Sequence, residues 1–117
     1  MFLDLKHKSL DAYQATRALV KEIYNVSLLL PGEERFNITQ QIRRAALSVK
    51  LNLAEGSTRK SFTERKRYYE VARGSVVEID AAIETAVDLN YFRVEKLEQT
   101  GLLLNKCFAM LSKMIGS

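Results

Sequence analysis

The sequence predicts an all-α protein, an antiparallel up-down-up-down four-helix bundle in a single domain that covers residues 1–117. Apolar residues recur at intervals of three and four through four long segments, which is the period of a helix that buries one face. One Pro and five Gly among 117 residues are too little turn chemistry for a fold of many short strands. Long helices joined by short connections pack as antiparallel neighbours, which favours the bundle.

The first two predicted helices span residues 9–29 and 38–56. Pro31 and Gly32 end the first, because Pro cannot continue a helix and Gly tolerates the turn. Asn37 is the predicted N-cap of the second. The apolar stripes of the two helices are Ala12, Ala15, Leu19, Ile23, Val26 and Leu30, and then Ile38, Ile42, Ala45, Val49 and Leu53.

The third and fourth predicted helices span residues 61–89 and 94–115. Ser61 and Glu64 form a capping box at the start of the third helix. Its stripe is Phe62, Tyr69, Ala72, Val76, Ile79, Ile83 and Val87. Gly74 and Gly101 lie within these helices, where each glycine lowers helix stability by up to about 1 kcal/mol relative to Ala. We expect a close approach of neighbouring helices at both glycines.

The fourth helix carries two apolar stripes, one more than a single bundle needs to bury. They are Leu97, Gly101, Leu104, Phe108, Leu111 and Ile115, and then Leu103, Cys107, Met110 and Met114. Two stripes predict a homo-oligomer with Met110, Met114 and Tyr24 at subunit contacts. The alternative is one broad core face within a monomer.

Composition disfavours most enzymes and membrane proteins. One Cys excludes an internal disulfide, and one His excludes any two-histidine metal motif. His7 lies near the N-terminus, and Cys107 falls on an apolar stripe, so neither is an expected nucleophile or base. The five glycines never cluster into a phosphate-binding loop. We therefore expect no catalytic residues, metal or cofactor. The longest apolar run is five residues and the N-terminus lacks a signal layout, so we expect a cytoplasmic protein with no membrane contact.

Positive charge is concentrated in the middle of the chain. The whole chain has a formal net charge of +4, yet residues 35–73 hold ten Lys and Arg against three Glu. A basic block of this kind is typical of a surface that faces a polyanion. The alternative is an ordinary solvated helix face. The candidate nucleic-acid-binding residues are Arg43, Lys50, Arg59, Lys60, Arg65, Lys66 and Arg67.

A line of polar residues runs along the second helix at steps of three and four, so its members share one face. The third helix offers a matching line. If the two lines face each other, they form a buried polar seam with paired charges. The predicted seam is Arg44, Ser48, Asn52, Glu55, Arg73, Ser75 and Glu78. A structural seam is the favoured interpretation, and a ligand site is the alternative.

Several ordered segments resemble the 23S rRNA intervening-sequence protein family. They are LPGEERF at 30–36, QIRRAALSV at 41–49, NLAEG at 52–56 and ARGS at 72–75 with Glu78. The resemblance covers nearly the whole chain. The family pattern often has a proline near Lys50 and Leu51, which this sequence lacks.

The resemblance implies a small four-helix bundle that assembles as a homopentamer with a central channel. Many relatives are encoded inside insertions in large-subunit rRNA genes, and RNA binding is proposed for them. A similar bundle is the accessory protein of diversity-generating retroelements, where it binds a reverse transcriptase and nucleic acid. We therefore predict a non-enzymatic, homo-oligomeric RNA-binding protein. The alternatives are a protein-interaction scaffold, such as a partner of a nucleic-acid enzyme, and a ligand binder or enzyme that uses the polar seam.

Overall fold

Four α-helices account for most of the chain in the computed structural model, which describes residues 1–116. The helices are α1 (Asp11–Ser27), α2 (Ile38–Gly56), α3 (Phe62–Asp88) and α4 (Glu98–Ile115). Short 3-10 turns occupy Lys6–Ser9, Gly32–Glu34 and Val94–Lys96. No strand occurs within residues 1–116. The predicted all-α class is confirmed, and α2 and α3 have their predicted bounds to within one residue.

The other two helices are shorter than predicted. At the end of α1 the backbone amides of Leu28, Leu29 and Leu30 each bond a carbonyl three residues back. The helix therefore tightens into a turn before Pro31. Residues 94–96 form a separate 3-10 turn, and Leu97 is the residue from which α4 begins.

Asn37 and Ser61 lie at the N-cap positions of α2 and α3, as predicted, but only Ser61 makes a side-chain cap bond. The backbone amide of Glu64 donates to Ser61 Oγ at 3.1 Å, which confirms the cap of α3. Asn37 occupies the predicted N-cap position of α2, but its side chain makes no cap bond. Its amide instead donates to Glu34 Oε1 at 3.0 Å, in the preceding 3-10 turn.

Consecutive helices run in opposite directions. Gln41, near the start of α2, bonds Glu78 in the second half of α3. Ser57, after the end of α2, lies 3.2 Å from the hydroxyl of Tyr69 in the first half of α3. The same reversal joins α1 to α2, since Arg43 Nε donates to Ser27 Oγ at 2.8 Å. The main contacts place α1 and α3 each against both α2 and α4, so the four helices form a square.

The core is built from the predicted stripes. Every stripe residue predicted for α1 and α2 is buried. Both stripes of α4 also turn inwards: Leu103, Leu104, Cys107, Leu111 and Ile115 are buried, and both methionines pack on the core. The broad apolar face of α4 is therefore largely filled within one chain, because α4 lies between α1 and α3.

Two aromatic residues of the predicted stripes are exceptions. Phe62 is 50% exposed and Phe108 is 43% exposed. Arg73 Nη1 donates to Ser112 Oγ at 3.1 Å, so the end of α4 lies beside the third turn of α3. The first two turns of α3 consequently extend past α4, and this leaves Phe62 uncovered. No helix within residues 1–116 is both long and apolar enough to cross a bilayer.

The close helix approach occurs at a different glycine from the two predicted. A Cβ on Gly74 or Gly101 would meet nothing within 4 Å, so the prediction for both is wrong. At Gly56 a Cβ would lie 2.5 Å from Tyr68 Cβ and 3.2 Å from Tyr69 Cε1. Gly56 therefore lets the end of α2 approach the backbone of α3.

Candidate nucleic-acid interface

Charge is distributed unevenly along the bundle axis. The half that contains the α2–α3 turn, here called the basic half, comprises residues 1–18, 47–75 and 108–116. It holds eleven Lys and Arg against five Asp and Glu, a formal net charge of +6. The remaining half, residues 19–46 and 76–107, holds seven basic and nine acidic residues, a net charge of −2. A polyanion is therefore attracted to the basic half.

Arg59, in the α2–α3 turn, is held by two neighbours. Its Nη2 atom forms an ion pair with Glu55 Oε2 at 2.9 Å and donates to the Tyr68 hydroxyl at 2.8 Å. Hydrogen bonding to Tyr68 and then to Glu55 raises the pKa of Arg59 above its ordinary value. Hydrogen bonds from Tyr68 and Arg59 lower the pKa of Glu55. This arginine shapes the turn and fixes the Tyr68 side chain.

Two other arginines of the predicted set also have internal partners. Arg65 Nη1 donates to the backbone carbonyls of Arg59 at 3.1 Å and Lys60 at 2.9 Å, so it closes the turn. Arg43 lies in the other half, where it bonds Ser27 and stacks over the Tyr24 ring at 4.9 Å. The structure thus separates Arg43 from the remaining six residues of the set.

Lys60, Lys66 and Arg67 are fully available to a ligand. All three side chains are exposed, and within residues 1–116 none of them makes a hydrogen bond or an ion pair. Lys66 and Arg67 lie on the two turns of α3 that extend past α4. Lys50 is half-buried, with its ammonium 5.9 Å from the centroid of the Tyr13 ring. These four cations lie in the basic half.

The polar seam is smaller than predicted. Ser75 Oγ donates to Ser48 Oγ at 2.8 Å, and Asn52 Nδ2 donates to Ser48 Oγ at 3.1 Å. The first of these bonds joins α3 to α2, and the second lies within α2. Arg73 is half-buried and bonds Ser112 of α4, so it belongs to a different helix pair.

The predicted burial of Arg44, Glu55 and Glu78 is wrong within the single chain, because all three are exposed. Helices α2 and α3 meet through buried apolar residues such as Ala45 and Ala72. The charged members of the two lines therefore lie outside the contact, and Glu78 bonds Gln41 at its edge.

Cys107 and His7, the two residues considered for catalysis, are both buried. Burial raises the pKa of the Cys107 thiol to about 11, so the thiol is protonated at neutral pH and is a poor nucleophile. His7 packs edge-on against Tyr13 with ring centroids 4.7 Å apart, and burial lowers its pKa. Within residues 1–116 no group of three or more potential metal ligands occurs.

Tyr68 was not among the predicted site residues, although it links Arg59 to α3. The only local signal for this cluster is the spacing of Glu55 and Arg59, four residues apart on α2 and its turn. That Tyr68 reaches the pair depends on the close helix approach at Gly56, which no sequence pattern indicates.

The chain matches the family described as 23S rRNA-intervening sequence protein over residues 8–113. It belongs to this family. A search of curated proteins found no match. Among solved structures, the chain is similar to a protein of unknown function from the S23 ribosomal protein family of Bacteroides thetaiotaomicron VPI-5482, with a TM-score of 0.82 and 19% identity. The similarity covers 91% of this chain and 99% of the other, and it shows a shared fold.

The α2 helix of this family member is continuous. It runs from Ile38 to Gly56 through Lys50 and Leu51, the position where the family pattern often has a proline. The basic α2–α3 turn is therefore attached to an uninterrupted helix.

Proposed function

We propose that this protein is a non-enzymatic, homo-oligomeric RNA-binding protein whose basic half contacts the phosphate backbone. The observation that supports RNA binding most directly is the charge asymmetry between the two halves, +6 against −2. Membership of the 23S rRNA-intervening sequence family is consistent with an RNA partner.

Lys60 and Lys66 are the proposed phosphate contacts. Their ammonium groups are exposed and lack internal partners within residues 1–116, so binding RNA breaks no existing bond. Contacts of this kind release counterions, and they contribute affinity with little base choice. Binding is therefore expected to weaken steeply as salt increases.

The test is a double substitution, Lys60→Glu with Lys66→Glu, measured by fluorescence anisotropy of a labelled single-stranded RNA at several KCl concentrations. Each phosphate that the variant no longer neutralises should make the negative slope of log affinity against log salt shallower by about 0.7. The matched control is Lys21→Glu with Lys96→Glu, two exposed lysines of the other half. An equal decrease in affinity in both variants would mean that net charge, rather than this surface, controls binding.

Self-assembly is proposed through the exposed apolar residues of α3 and α4, with a second copy of the chain as the occupant. Val77 is 53% exposed beside Phe108, and the two line a shallow groove of about 190 Å³ with Asp80 and Asn105. The family resemblance implies a pentamer. The proposed subunit contact therefore differs from the predicted one, because the methionines of α4 pack against the core of their own chain.

Light scattering at micromolar concentration tests the assembly. The parent should have several times the 13.3 kDa mass of one chain, and Phe108→Glu should reduce it. Phe62→Glu is the control, because Phe62 has a similar exposure but lies at the start of α3, away from this groove. A measured mass of 13.3 kDa for the parent, the mass of one chain, would refute the assembly.

A second candidate function is an accessory protein of a nucleic-acid enzyme. Three large apolar residues are exposed where α1 joins α2, namely Leu28, Leu29 and Phe36. Exposed apolar clusters are typical of protein contacts. If the Lys60 and Lys66 variant binds RNA as the parent does, while Phe36→Glu no longer binds a stoichiometric protein partner, this second function is favoured.

A further inference from the structure

A groove of about 320 Å³ lies between α2 and the first turns of α3, in the basic half. We propose that it accepts one unpaired nucleobase of single-stranded RNA and prefers bases that carry an exocyclic amino group. The inference rests on the proposed RNA binding and adds base recognition to it. The groove is lined by Asn52, Glu64, Arg67, Tyr68 and Val71.

The Tyr68 ring supplies a rigid stacking surface. Its hydroxyl accepts from Arg59 Nη2 at 2.8 Å, and the Arg59 guanidinium carbon lies 5.0 Å from the ring centroid. Its Cβ faces Gly56, which has no side chain to displace it. Every base can stack on an aromatic ring, so the ring provides affinity without strong sequence preference.

Two polar side chains of the groove, Asn52 and Glu64, can accept hydrogen bonds from a base. Asn52 Nδ2 donates to the backbone carbonyl of Ser48 at 2.9 Å and to Ser48 Oγ at 3.1 Å. A carbonyl can only accept, so these bonds fix the orientation of the amide, with its nitrogen towards Ser48. The carbonyl oxygen of Asn52 therefore remains available to accept a hydrogen bond from a base.

Glu64 adds a second acceptor. Its carboxylate takes one hydrogen bond, from Ser61 Oγ at 3.2 Å, and it retains further lone pairs. Two acceptors match the amino groups of cytosine, adenine and guanine. They do not match the O4 carbonyl of uracil, which also accepts.

Arg67 provides the charge for the adjoining phosphate. It is exposed at the edge of the groove, one residue from Lys66 on the protruding turns of α3. A nucleotide with its base beside Tyr68 can therefore present its phosphate to these two cations. Val71, which is half-exposed, provides apolar contact for the base.

The experiment compares oligocytidylate, oligouridylate and an abasic RNA of equal length, so that the phosphate count is constant. Stacking should make oligocytidylate bind about 5- to 150-fold more tightly than the abasic strand. The acceptor pair should make it bind about fivefold more tightly than oligouridylate. Cytosine and uracil have the same ring size, so their difference isolates hydrogen bonding.

Two variants connect these ratios to the groove. Tyr68→Leu should remove the preference for a base over an abasic site. Glu64→Gln introduces a donor without removing the capping side chain, so it should reduce the cytosine preference even if Tyr68→Leu fails to fold. The matched control is Tyr24→Leu, a ring with Arg43 stacked at 4.9 Å in the other half, which should leave both ratios unchanged.

Each outcome is decisive for one of the two proposals. If no strand binds at low salt, the proposed RNA binding fails. If all three strands bind equally and still require Lys60 and Lys66, RNA binding stands and the base groove is refuted. If Tyr24→Leu, rather than the two groove variants, abolishes the preferences for a base over an abasic site and for cytosine over uracil, the base site is elsewhere and this assignment is wrong.

Discussion

Substitution of Gly56 by Ala is expected to destabilise the protein, although alanine favours helix. The new Cβ would lie 2.5 Å from Tyr68 Cβ and 3.3 Å from Tyr68 Cγ. Carbon atoms in contact sit about 3.5–4.0 Å apart, so α2 and α3 must separate by about 1 Å. Tyr68 Cβ is attached directly to the α3 backbone, and a change of rotamer therefore cannot relieve the clash.

The magnitude follows from two opposing effects. Overpacking of a core usually costs about 1–3 kcal/mol. Replacing glycine by alanine within a helix stabilises the fold by at most about 1 kcal/mol, and the gain is smaller at the last residue of α2. We expect a net loss of stability of about 1–2 kcal/mol. For a domain of this size each kcal/mol corresponds to about 4 °C in Tm.

The assay is urea unfolding followed by circular dichroism, at one fixed protein concentration because assembly would contribute to stability. Gly74→Ala is the matched control, since its Cβ meets nothing within 4 Å and the residue lies within α3. It should stabilise the protein by about 0.5–1 kcal/mol. If Gly56→Ala is as stable as Gly74→Ala, the close approach of α2 and α3 does not constrain this position.

Three further predictions concern buried groups. Cys107, with a pKa of about 11, should react with a thiol reagent at pH 8 only at the rate of unfolding, and fast labelling of the native protein would contradict its burial. Thr100 Oγ1 donates to Glu22 Oε2 at 2.7 Å, so Thr100→Val should lower the free energy of unfolding by about 1.5–3 kcal/mol; an unchanged urea midpoint would argue against this bond. Burial lowers the pKa of His7 below the ordinary value of 6.5, so docking of the N-terminal turn against Tyr13 should be complete above that pH and weaken as pH falls through the lowered pKa. Limited proteolysis should detect the release, and His7→Phe should remove its pH dependence.

The helices and their buried faces could be predicted from sequence because both depend on local information. Every position that hydrophobic periodicity assigned to the stripes of α1 and α2 is buried in the core, and Ser61 marked the start of α3. The bounds of α2 and α3 were correct to within one residue. At the ends of α1 and α4 the chain forms 3-10 turns, whose hydrogen bonds compete with α-helix over a few residues and leave no periodic signal.

The basic composition of the candidate interface was also visible in the sequence, but the availability of each cation was not. Lys60 and Arg59 are adjacent, yet Arg59 is bound to Glu55 and Tyr68 while the Lys60 side chain is exposed. The difference arises because α3 brings Tyr68 back to the end of α2. Tyr68 is not a local neighbour of Arg59 in the sequence, and whether it reaches the arginine depends on how closely the helices pack.

By itself the sequence determined the fold class, the apolar faces and the position of the basic block, since these follow from residue type and spacing. Only the tertiary structure decided which side of α2 meets α3, and so whether Arg44 and Glu78 are buried or exposed. It also decided that Gly56, rather than Gly74, lies at a close helix approach. Helix rotation, crossing distance and the extension of α3 past α4 are set by packing among all four helices together, and no single segment encodes them.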